Sequence, residues 1–168
     1  MKKVVVAVVL LLLAGALVAG CDSSTGPEEN GGTAERLYVK FENSGASAFP
    51  ITEVQLMPMG PAGSAPDEPS GEWGENVLPA DTRLAPGEHI FLTLPIPNLH
   101  WSQYRLGVVD EEGNQLMLHR QPGYSEDAML GSITHWGSHE RTVEVTVARD
   151  QSSGLIVISG WSDFAGIE

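Results

Sequence analysis

From Leu37 onward the apolar residues of this chain recur at every second position. Leu37, Val39 and Phe41 alternate with Tyr38, Lys40 and Glu42, and Val54 and Leu56 alternate with Glu53 and Gln55. Ile90, Leu92, Leu94 and Ile96 line one side of a longer segment, followed by Tyr104, Leu106 and Val108, by Leu116 and Leu118, and by Val143, Val145 and Val147. Successive side chains of a strand point to opposite faces, so this period marks strands with one buried and one solvated face. The closing apolar run Leu155-Ile156-Val157-Ile158 reads as a seventh strand. No segment of the region carries the 3.6-residue period of a long helix.

The punctuation between these segments fits an antiparallel arrangement. Asn43-Ser44-Gly45 turns the chain between the first two strands, Ala85-Pro86-Gly87 introduces the third, and Asp110-Glu111-Glu112-Gly113-Asn114 reads as a hairpin between the fourth and fifth. Residues 58–80, rich in proline, glycine and serine, read as a long loop. Residues 121–140 read as another, with a short helical turn expected near Glu126 to Leu130. Short strands without repeats over this length predict an all-β fold, an antiparallel two-sheet β-sandwich of about seven strands, with immunoglobulin-like topology as one arrangement open to it.

One stretch carries a recognisable pattern. The segment Ile51-x-x-Val54-x-Leu56 is followed by Trp73-Gly74-Glu75-Asn76-Val77-Leu78, by Leu84-Ala85-Pro86-Gly87, and by Tyr104-Arg105-Leu106-Gly107-Val108-Val109-Asp110 ending at Gly113. This resembles a widespread group of small bacterial exported β-domains, over about residues 37–120. The chain departs from that group in its longer proline-rich loop before Trp73 and in the segment from Gln121 onward. The resemblance implies a β-fold and carries over no functional residue, since the group has no established activity.

Ahead of the strands lies a segment of different character. Lys2 and Lys3 precede an unbroken apolar run from Val4 to Ala19, and then come Gly20 and Cys21. A basic start, an apolar stretch and small residues before a cut form a secretory signal, and the run falls short of the ~20 residues a spanning helix needs. Leu17-Val18-Ala19-Gly20-Cys21 resembles the lipobox of bacterial lipoproteins. That resemblance implies removal of residues 1–20 as signal peptide, acyl chains such as palmitate on Cys21, and attachment to the cell membrane or outer membrane, facing the periplasm or the cell exterior. Asp22 resembles the residue that retains some lipoproteins in the inner membrane. Cys21 is the only cysteine, so once acylated it leaves no disulfide and no thiolate metal site.

Residues 22–35 contain no apolar side chain larger than alanine or proline. Such a segment cannot bury enough surface to offset its ordering entropy, so residues 21–35 are expected to form a flexible acidic tether with a reach of about 20 Å. The domain proper is then 36–168. The chain holds 22 acidic and 9 basic residues, a formal charge of −13, and loss of Lys2 and Lys3 takes this to −15. That balance repels phosphate backbones and excludes nucleic-acid binding; membrane contact is expected through the acyl chains on Cys21 alone.

Residues that could carry chemistry are few. His135 and His139 have an i, i+4 spacing, with Glu140 and Asp127 near in sequence, and imidazole is a common zinc ligand. Gly137 and Ser138 between them disfavour a helix, so solvated loop histidines and no metal are expected. Gly123-Tyr124-Ser125 and Gly160-Trp161-Ser162 match only the first half of a serine-hydrolase elbow. Asp110 to Asn114 lacks the ligand spacing of a calcium loop.

Trp73, Trp101, Trp136 and Trp161 are expected in loops or at strand ends, where they either close the sandwich or stack on a ligand. Trp73 reads as packing, while Trp101 and Trp136, each beside a histidine, are the candidates for a binding surface. The sequence thus predicts a lipid-anchored, non-catalytic envelope domain without a cofactor, whose partner is an envelope protein or a glycan. The alternatives are a carbohydrate-binding or adhesion module using loop tryptophans, and a metal site at His135 and His139.

Overall fold

The computed structural model describes residues 36–61, 72–118 and 131–167. They form eight strands: β1 (Leu37–Asn43), β2 (Ile51–Pro61), β3 (His89–Leu94), β4 (His100–Val109), β5 (Gln115–Leu118), β6 (Ser132–His135), β7 (Glu140–Arg149) and β8 (Ile156–Ala165). One sheet has the order β3-β1-β7-β8; the other is β2-β4-β5, with β6 also on β4. The protein is an all-β two-sheet sandwich, as the alternation predicts.

Most inward positions of that alternation form the core, Leu116 of β5 being exposed instead. Leu37, Val39 and Phe41 of β1 pack with Val143, Val145 and Val147 of β7 from one sheet, against Val54, Tyr104, Leu106 and Val108 from the other. The rings of Phe41 and Tyr104 meet edge to face at 6.4 Å, a favoured aromatic geometry. Ile96 is buried as expected but lies beyond the end of β3 at Leu94.

The pairing of β1 with β3 and the order β2-β4-β5 reproduce the E-B and C-F-G pairings of an immunoglobulin core. In place of strand A, the β7–β8 hairpin lies on the other edge of β1. That contact is parallel, with Phe41 opposite Val143, and is the one departure from antiparallel pairing among the described strands. A parallel pair needs a long crossover, here most of the domain.

Two turns follow from their residues. In the β4–β5 hairpin the Asp110 carboxylate accepts from the Glu112 and Asn114 amides, at 2.9 and 2.7 Å, and Gly113 takes the positive φ of 86° that the turn requires. The Asn114 side-chain amide, which donates to Asp110 Oδ2 at 3.0 Å, and then these backbone bonds hold the Asp110 carboxyl below its ordinary range. Asn43 does more than turn the chain. It is fully buried, and its side-chain amide donates to Phe49 O at 3.0 Å and Leu84 O at 2.9 Å, joining β1 to both crossovers.

The strand count is eight, one more than the alternation shows. The residues expected as a loop at 121–140 include β6, whose four residues are too few to display a period. The expected loop at 58–80 begins later, because β2 runs on to Pro61 across an irregularity between Pro58 and Gly60. The helical turn expected near Glu126 to Leu130 lies outside the described residues, as do the signal, Cys21 and the tether.

Candidate functional site

The most chemically distinctive region lies where β8, the edge of one sheet, meets β6 of the other. A β-bulge prepares it. Val147 pairs with Ile158 but Thr146 pairs with Gly160, so Ser159 is the extra residue. After the bulge Trp161 stands opposite Val145 and Asp163 opposite Val143, on the side that those core valines face. Without the extra residue both side chains would point outward.

Trp161 remains 51% exposed and shares a depression of about 120 Å³ with Trp101, Gln103, Gly131 and Ser132. Gln103 is 1% exposed, yet neither amide atom has a hydrogen-bond partner. Behind Gly131 the Tyr104 hydroxyl is likewise buried without a partner, and a Cβ at Gly131 would overlap that ring. Burial, reinforced by the Asp163 charge, pushes the Tyr104 phenol well above its usual range. Buried polar groups are nearly always hydrogen-bonded, so two such side chains beside one depression are unusual.

Asp163 has a different task. Its Oδ1 accepts from Arg141 Nε at 2.8 Å, and its Oδ2 accepts from the Thr134 amide at 2.8 Å and the Thr134 hydroxyl at 2.6 Å. Arg141 Nη2 also donates to the Asp163 carbonyl at 3.1 Å. The carboxylate therefore fastens the two sheets together and covers an otherwise open backbone donor on β6.

The structure brings His135 and His139 together, but not as a chelate. His135, the last residue of β6, has no exposed surface, so the expectation of a solvated loop histidine fails for it. Its Nδ1 lies 2.7 Å from Ile96 O and must donate, which leaves Nε2 to accept from His139 Nδ1 at 2.9 Å. Both His135 nitrogens are thus engaged, and only the exposed His139 keeps a lone pair free of its neighbour. Among the described residues no group of three or more His, Cys, Asp or Glu is placed to hold a metal ion.

Burial holds the His135 imidazole below its ordinary range, and His139 and Arg141 add to this, while the bond to Ile96 O works the other way. A histidine that resists protonation when folded makes the unfolded chain the stronger proton binder, so stability falls as pH drops below the ordinary 6.5 toward the folded value. Urea denaturation between about pH 7 and pH 5.5 is expected to show this loss, and His135→Gln to flatten the slope relative to the unsubstituted protein.

The tryptophans divide differently from the sequence expectation. Trp101, near the start of β4, joins Trp161, which lies inside β8 rather than in a loop. Trp136 is 61% exposed on the turn after β6 and does not line that depression. Trp73 packs as expected, with the Arg105 guanidinium 4.7 Å from its ring centroid. Gly160-Trp161-Ser162 lies along β8 with no nucleophile turn, and Gly123-Tyr124-Ser125 falls outside the described residues. Gln103, Gly131, Arg141 and Asp163 carry no sequence signal, because each reads as an ordinary polar or small residue until the bulge and the β4–β6 pairing place it.

No family model matches the chain, and no curated protein or solved structure matches it. The functional reading rests on the residues themselves.

Proposed function

We propose that this protein is a lipoprotein of the bacterial cell envelope that carries a non-catalytic binding domain on a short acidic tether. The observation that carries the reading is Leu17-Val18-Ala19-Gly20-Cys21 at the end of an apolar signal, with Cys21 the only cysteine in the chain. Two or more acyl chains at that residue would make the anchor effectively permanent, since each buried methylene contributes about 0.8 kcal/mol. The formal charge of −15 that remains once residues 1–20 are removed would keep the protein off anionic headgroups.

Binding rather than catalysis is supported by how the reactive side chains are used. His135 is held by Ile96 O and His139, and Asp163 by Arg141 and Thr134, so neither is free to act as base or ligand. The depression beside Trp161 offers instead an apolar surface with unsatisfied polar atoms. Fractionation tests the anchor: the full-length protein expressed in a bacterial host is expected in the membrane pellet and resistant to high salt, and Cys21→Ala in the soluble fraction or retained as uncleaved precursor. Salt-extractable protein, or a Cys21→Ala variant indistinguishable from the parent, refutes it.

A further inference from the structure

We infer that the depression between Trp101 and Trp161 is a binding site for a neutral sugar ring. The inference deepens the binding-domain reading and is independent of the anchor. Among the described residues the lining is Trp101, Gln103, Gly131, Ser132 and Trp161, none of them charged, and the buried Gln103 amide lies directly beneath it. A saturated pyranose presents apolar C–H faces, which suit indole faces, and an edge of hydroxyls that each donate and accept. The Gln103 amide offers one group of each kind in a single plane. A binding pocket of this type is largely apolar with a few convergent polar groups that fix orientation.

The Gln103 amide is the second observation and points the same way. Nε2 and Oε1 are both buried and unpartnered, and Tyr104 Oη, behind Gly131, is in the same condition. An apolar residue of similar shape would relieve that cost at Gln103, so a glutamine there sacrifices stability for something else. The depression of about 120 Å³ is roomy enough to admit solvent, which ring hydroxyls would displace. Trp161, half exposed and with its backbone fixed in the β7–β8 ladder, has the side chain that can swing aside to admit a hydroxyl to the amide. The net charge of −13, and Asp163 two residues from Trp161, disfavour an anionic ligand.

The test is titration of the full chain in detergent micelles with methyl β-glucoside, methyl β-galactoside, N-acetylglucosamine and glucuronate, followed by tryptophan fluorescence and calorimetry. At least one neutral sugar is expected to bind saturably, with a Kd on the order of 1 mM for a single ring. Trp161→Ala is expected to weaken it at least about tenfold with the unfolding midpoint nearly unchanged. Gln103→Leu is expected to abolish binding while raising the unfolding midpoint, a combination that a purely structural glutamine would not give. The inference is overturned if none of the neutral sugars binds, if glucuronate binds as tightly as they do, if Trp161→Ala leaves binding intact, or if Gln103→Leu lowers stability. None of these outcomes bears on membrane attachment.

Discussion

Asp163→Ala is expected to lower the stability of the domain by about 4 kcal/mol, the range for removing one member of a buried ion pair. Both side chains of the Arg141–Asp163 pair are 10% exposed, so the substitution leaves a guanidinium without its counter-charge in a largely dry place. It also strips the Thr134 amide and hydroxyl of their acceptor, reopening the edge of β6 beside β8. Thermal unfolding is expected to fall by roughly 10 to 20 °C. The joint replacement Arg141→Met with Asp163→Leu is expected to recover most of the loss, because two apolar side chains of similar volume remove the desolvation cost together with the attraction. A single alanine variant within about 1 kcal/mol of the parent would show that the pair holds nothing together.

Asn43→Ala is expected to cost about 3 kcal/mol, for a different reason. Each of its two amide bonds is worth about 1 kcal/mol, and cutting them leaves the Phe49 carbonyl without its donor and a small void at the end of β1. Asn43→Asp should be worse than alanine at neutral pH, because a carboxylate would face the Phe49 and Leu84 carbonyl oxygens that now accept from Nδ2. Urea midpoints for the two variants, compared at equal m-value, check both the size and the order. An aspartate variant as stable as the parent would mean that Asn43 is merely a turn residue.

These two side chains mark how far the sequence could be read. The strands with a clear period, β1 with Leu37, Val39 and Phe41 and β7 with Val143, Val145 and Val147, form the core because one buried face imposes alternation on any strand. The β4–β5 hairpin was legible because Asp110 and Gly113 have local reasons to turn the chain. The placements of Asn43, Asp163 and Gln103 are not legible, because each depends on residues of other strands or crossovers: Leu84 for Asn43, Arg141 and Thr134 for Asp163, and the depression shared with Trp161 for Gln103. Asn43 read as a turn residue, and it does turn the chain, but its burial under two crossovers has no local signature. Trp161 was misplaced because a bulge at Ser159 shifts the alternation by one, and nothing in Ile156-Val157-Ile158-Ser159-Gly160 announces an extra residue. β6 has no sequence signature because four residues cannot show a period, and the burial of His135 at its end is hidden with it, Gly137 and Ser138 pointing only to a loop.

The lipid anchor rests on Cys21 and its preceding residues, and one measurement addresses it directly. Mass spectrometry of the N-terminal peptide from protein isolated out of bacterial membranes should find a chain that begins at Cys21 and carries diacylglycerol on its thiol. A mature chain with an unmodified Cys21 thiol, or one that still retains residues 1–20, would contradict the proposal and leave the β-sandwich without its place in the envelope.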